Sequence, residues 1–176
     1  MTGKQAYGGY GTWTHEQGNY INQYYGDAGR NASPYVGRNS GTTPRNKWNL
    51  LISTRDTTRN DWYINGVNTS GGGHSYGTLT TDTNNVRIAQ GYAGYWTGHM
   101  GPIIAYDKKL TASEVKTIYH GGPIVDSDLI LAVDSSLLHS FDQGETITYD
   151  FIGGQEGTLI NGVGYDNAQK TWMLGS

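Results

Sequence analysis

Two carboxylates on alternate residues of a strand face one cleft and can serve as nucleophile and general acid on a sugar. The glutamates are Glu16, Glu114, Glu145 and Glu156, and none has a second carboxylate two residues away on a strand-like stretch. Glycoside hydrolysis is therefore not expected. The histidines at 15, 74, 99, 120 and 139 lack the i, i+4 spacing of a helical zinc site, and Gly72-Gly73-His74-Ser75 is no nucleophile elbow. Gly71-Gly72-Gly73 lacks the following Lys-Ser/Thr of a phosphate cradle, so it reads as a sharp loop. With no cysteine there is no thiolate ligand, disulfide or cysteine nucleophile. Asp56, Asp61, Asp82, Asn84 and Asn85 lie on predicted loops, and Tyr92, Tyr95 and Trp96 make an aromatic cluster between Gly91 and Gly98.

These side chains need a scaffold of 176 residues, a length that suits one domain or one domain plus part of another. Glycine fills 27 positions and proline only 4, which fits neither collagen nor a proline-rich linker. Leu, Ile, Val and Phe together make under a fifth of the chain, low enough to raise disorder. The net charge of −3 argues against it, and 14 Tyr with 5 Trp restore the missing apolar area. A turn-rich all-β protein is the expectation. A pI near 5.9 without a basic block provides no footprint for nucleic acid or an anionic membrane, and no partner of either kind is expected. The first residues, Met-Thr-Gly-Lys-Gln, have no apolar stretch of signal-peptide type, so a product retained in the cell that makes it is expected.

Individual elements are legible. The first 46 residues are polar, aromatic and glycine-punctuated, as short strands between tight turns would be. Trp48, Leu50 and Ile52 alternate, predicting a strand with one buried side. Asn65-Gly66 supplies the positive φ angles of a type I′ turn, so 62–69 reads as a hairpin. Residues 85–90 and 100–106 give further strands, the second apolar enough for burial on both faces. Thr111 and Glu114 form a capping box, with Leu110 and Val115 placed for a hydrophobic staple, and the short helix ends at Gly121-Gly122 before Pro123. Residues 128–134 are the strongest strand signal, and Ile160-Asn161-Gly162-Val163 repeats the hairpin chemistry of 64–67.

The series Asn46-Lys47-Trp48-Asn49-Leu50-Leu51-Ile52, Trp62-Tyr63-Ile64-Asn65-Gly66-Val67, Arg87-Ile88 and Gly101-Pro102 through Asp107-Lys108-Lys109-Leu110-Thr111-Ala112-Ser113-Glu114-Val115 resembles the second half of a concanavalin A-like, laminin-G-like jelly roll. The segments 129–134, 140–141, 148–151, 157–163 and 172–176 are similar to the opening strands of the same fold, in the variety found in tailed-phage structural proteins. The resemblance implies an antiparallel β-sandwich of jelly-roll type with one short helix near 111–120. It divides the chain into 1–122, the main part of the jelly roll, and 123–176, strands that complete this domain or a neighbour's. A permuted single domain, a slice of a tandem array and strand exchange between subunits all fit this order. Closure within one chain is the first expectation, because both halves share one effective concentration.

Lectins of this superfamily hold sugar and calcium with loop Asp and Asn residues and a stacking ring. The resemblance thus makes Asp56, Asp61 and Asp82 candidate calcium ligands, and Tyr92, Tyr95, Trp96, Asn84 and Asn85 candidate ligand-binding residues. Tyr and Trp suit a protein interface for the same reason, an apolar face with a polar tip. The implied function is a non-enzymatic virion structural or decoration protein of a tailed phage, made in the host cytoplasm. Its partners would be copies of itself, other virion proteins and host-surface glycan, with no cofactor beyond possible calcium. The alternative is a lectin-like module of a longer secreted or cell-surface protein.

Overall fold

Aromatic and β-branched residues alternate with small polar ones through most of the chain, a pattern that fits pleated, half-buried backbone. A computed structural model describes residues 2–3, 10–15, 20–26, 35–56, 59–70, 87–89, 96–122, 127–137, 140–142, 144–160 and 162–174. Among them, strands in antiparallel sheets accompany one short helix, so the protein is all-β as expected. The chain divides into two compact units: Met1–Gly94 with Lys109–Ile124, and Tyr95–Lys108 with Val125–Ser176.

In the first unit, β1 (Thr2–Gly3), β2 (Tyr10–His15), β3 (Tyr20–Gly26), β4 (Tyr35–Asn39) and β8 (Arg87–Ile88) form a sheet in the order β4-β3-β2-β1-β8. The expected run of short strands near the N-terminus is thus a meander, with Tyr10 opposite Tyr25 and Asn22 opposite Asn39. A second sheet joins β5 (Leu51–Arg55), β6 (Asn60–Ile64) and β7 (Val67–Asn68). All five residues of β6, between its two neighbours, are buried. Asn65 and Gly66 take φ of 52° and 77°, closing the hairpin as their sequence predicts.

The helix α1 (Ala112–Tyr119) also follows its sequence. The Thr111 hydroxyl accepts from the Glu114 amide at 3.2 Å, and the Glu114 carboxylate accepts from the Thr111 amide at 2.7 Å. Leu110 and Val115 are both buried, Val115 completely. The ring of Tyr119 lies against the hairpin turn: a Cβ on Gly66 would come within 2.8 Å of Tyr119 Cδ1. Glycine at 66 therefore serves both the turn's backbone angle and the approach of the helix.

One expectation for this unit fails. The strand begins at Leu51, and Trp48 stands outside it, 54% exposed. Asn46 takes φ of 56°, and the Asn49 side-chain amide donates to the carbonyls of Pro44 and Lys47, so the chain bends before the ladder starts. The alternation of Trp48 with Leu50 thus mimics a strand that local side-chain bonding prevents.

The second unit holds β9 (Gly98–Met100), β10 (Ile103–Tyr106), β11 (Leu129–Val133), β12 (Ile147–Tyr149), β13 (Glu156–Thr158), β14 (Gly164–Asp166) and β15 (Thr171–Leu174). The expected strand at 100–106 is split at Gly101-Pro102: β9 pairs with β15, whereas β10 pairs with β11. Proline lacks the amide a continuous ladder needs, and the residues of β10 are half-buried instead of fully covered. The strong signal at 128–134 is β11. The second Asn-Gly does not close a hairpin, since β13 pairs with β12 and β14 with β15. Gly162 has φ of 68° in the connection between those two sheets, and Asn161 lies outside the described residues. The core gathers Val133, Phe141 and Trp172, with Ile103, Leu131 and Tyr165 packed against them.

Candidate functional site

The loop candidates of the first unit converge on one ammonium group. Asp56 and Arg59 close the β5–β6 connection, where the Asp56 amide donates to the Arg59 carbonyl at 2.9 Å and the Arg59 amide donates to Asp56 Oδ1 at 2.8 Å. Asp61, on β6 and only 4% exposed, receives the Arg59 Nε–H on Oδ1. Lys109, just before the helix, places its Nζ 2.8 Å from Asp56 Oδ2 and 3.3 Å from Asp61 Oδ2. Burial pushes the Asp61 carboxyl up, but hydrogen bonds from Arg59 and Lys109 outweigh it and hold the group below its ordinary range. Burial likewise lowers Lys109, and Asp56 and Asp61 more than reverse that, raising it above the usual lysine value.

Two of the three candidate calcium ligands, Asp56 and Asp61, are thus brought together, while Asp82 lies outside the described residues. Their two negative charges meet two positive ones, from Lys109 and Arg59, which leaves little net field to draw a divalent ion. As arranged, this carboxylate pair holds the Lys109 ammonium. Among the described residues no group of three or more His, Asp or Glu side chains is placed to hold a metal. Lys109 and Arg59 were missed as partners. Only the two-residue spacing of Arg59 and Asp61 in the sequence hinted at either.

Of the ligand-binding candidates, Tyr92, Tyr95, Asn84 and Asn85 lie outside the described residues. Trp96 is half-buried in the second unit, with Gly98 at φ of 127° beside its indole nitrogen.

A second buried carboxylate was not anticipated. Asp150, 3% exposed, follows β12. Its Oδ1 accepts from the Ala132 amide at 2.7 Å and the Ile152 amide at 3.1 Å, while Oδ2 accepts from the Gly153 amide at 2.7 Å. Burial pushes its carboxyl up, and these three amides prevail and hold it below the ordinary range. An Asp followed three residues later by Gly is a turn signal that could have pointed to it. On β9, across the ladder from β15, His99 Nδ1 lies 3.1 Å from Thr171 Oγ1 and 3.8 Å from Asp166, whose carboxylate accepts from the Ala168 and Gln169 amides of its own turn. Among the described glutamates, Glu114 caps the helix, and Glu145 and Glu156 are exposed on separate segments.

A family model described as the concanavalin A-like lectin/glucanases superfamily, of laminin-G type, matches residues 2–116. The chain belongs to that superfamily. No curated protein and no solved structure matches it. The match covers the whole first sheet and both β9 and β10, and it ends inside α1. Strands from beyond the superfamily stretch, β11 and β15, pair with β10 and β9. The all-β architecture of antiparallel sheets accords with the sandwich of this superfamily.

Proposed function

We propose that the protein is a non-enzymatic assembly module of the superfamily, a structural or decoration component of a virus particle like those of tailed phages. Its partners would be further copies and other virion proteins, with glycan contact as an added capacity. The observation that carries this reading is the apolar surface of the C-terminal segment. Ile130, Phe151, Ile152 and Ile160 stay exposed there although large apolar side chains are scarce in the chain. These side chains would supply apolar contact area to a partner. The similarity of this same segment to strands of tailed-phage structural proteins gives it a setting. The non-enzymatic part draws support from the carboxylates, since Asp61, Asp150 and Glu114 have their oxygens engaged by cations or by main-chain amides.

The test is density-gradient fractionation of particles of the virus that carries this sequence, probed with an antibody to the chain. Co-migration with intact particles is the expected result. Recovery only in the soluble fractions, together with calcium-dependent retention of the isolated protein on a glycan array, would replace this reading with the lectin module. Glucan cleavage lost on changing Glu16, Glu145 or Glu156 would overturn the non-enzymatic assignment.

A further inference from the structure

Strand β11 pairs with β10 on one side only, and its other edge is where a foreign strand could add. In an antiparallel ladder, residues point their main-chain groups alternately toward and away from the partner strand. Ala132 directs both of its groups to residues 150–151 instead of to β10: its amide donates to Asp150 Oδ1 at 2.7 Å, and its carbonyl accepts from the Phe151 amide at 3.0 Å. The Asp150 turn therefore occupies the outer edge as a substitute strand one residue long. A second device lies beside it. Register passes from Ala105 opposite Leu131 to Tyr106 opposite Leu129, so Ile130 is bulged out of the ladder and 56% exposed.

We infer that the Asp150–Gly153 turn is an edge lock: it straps the outer side of β11 and keeps this chain from pairing strand to strand with a second copy through that edge. The lock depends on a carboxylate, because one group must accept from Ala132, Ile152 and Gly153 at once. Glycine at 153 belongs to the device, since a Cβ there would lie 2.8 Å from Asp150 Oδ2 and displace the carboxylate. With the strap released, Ala132 presents a free donor and acceptor next to the apolar Ile130, a template that main-chain hydrogen bonds from another copy would extend. The inference stands on the geometry of β11 and does not depend on the particle reading.

Asp150→Ala and the gentler Gly153→Ala test it, each compared with the unmodified chain. Hydrogen exchange at the Ala132 amide should accelerate about tenfold or more in both, the factor expected for one charge-assisted hydrogen bond. Light scattering after size exclusion should show a concentration-dependent rise in mass, and adding Ile130→Lys to Gly153→Ala should return the mass to that of the unmodified chain. Variants that fold, exchange faster at Ala132 and keep the unmodified mass over a wide concentration range would overturn the inference. Unchanged protection of Ala132 would overturn it too. If both variants lose cooperative unfolding, Asp150 is a requirement for folding and not an edge lock, and the proposal falls.

Discussion

Among the described residues, each unit of the molecule buries one aspartate, and the two are satisfied in opposite ways. Asp61 answers to cationic side chains, Arg59 and Lys109, the latter 48 residues away in sequence. Asp150 answers to main-chain amides, two of them within three residues of itself. Both carboxyls are held below their ordinary range, but the first shift rests on groups that mutation or salt can remove. The second rests on backbone amides, which side-chain changes other than to proline leave in place. The charge held by side chains thus ties Asp61 to a lysine far along the chain, whereas the one held by amides ties a local turn to the edge of β11. This contrast predicts where each unit is fragile.

The largest effect should come from Asp150→Ala, which strands three amides at once and should cost about 3–5 kcal/mol in denaturant unfolding. Lys109→Met leaves Asp61 and Asp56 short of a cation and should cost about 1–3 kcal/mol, with the Asp61 carboxyl moving up toward the ordinary range in an NMR titration. Thr111→Ala removes only the helix cap and should cost about 1 kcal/mol. Raising salt to molar levels should weaken the partly exposed Lys109 contacts by under about 1 kcal/mol and leave the Asp150 turn untouched. An equal response of Asp150→Ala and the unmodified chain to salt, measured as a shift in unfolding midpoint, would sharpen the distinction. An unequal one would break it.

The pH dependence follows from the signs. Both aspartates titrate lower in the folded chain than the unfolded value of about 3.9, so their stabilisation is present above that value and disappears as pH falls through the depressed folded ones. Lys109 titrates higher when folded, so its contribution is present below its ordinary value of about 10.4 and is lost as pH rises through the raised one. Unfolding midpoints from pH 2 to 11 should therefore fall at both ends, the alkaline fall shrinking in Lys109→Met and the acid fall in Asp150→Asn.

The parts legible in sequence are those decided within a few residues. Asn65-Gly66 needs no context to take positive φ, and Thr111 with Glu114 satisfies its own amides, so the hairpin and helix stood out. The same local chemistry misled where distant pairing decides. Ile160 to Val163 carries a hairpin signature, yet β13 and β14 find separate partners. Trp48 keeps strand alternation, yet Asn49 bends the chain first. The candidate site was legible only in part, because Asp56 and Asp61 were visible as loop carboxylates but their counter-ion Lys109 comes from beside the helix. Asp150 drew no notice because its three partners are backbone groups, which no side-chain pattern announces.

The separation between β9 and β15 has a consequence for how the chain is made. His99 and Thr171 meet across 72 residues of sequence, so β9 leaves the ribosome long before its partner exists. At roughly 5–20 residues per second, that delay is about 4–14 s. The β5–β6–β7 hairpins are complete before β9 is translated, whereas β9 must wait unpaired until β15 has been added. The interval in which a nascent chain is most exposed to wrong partners is thus set by the stretch of sequence between Met100 and its partner Trp172.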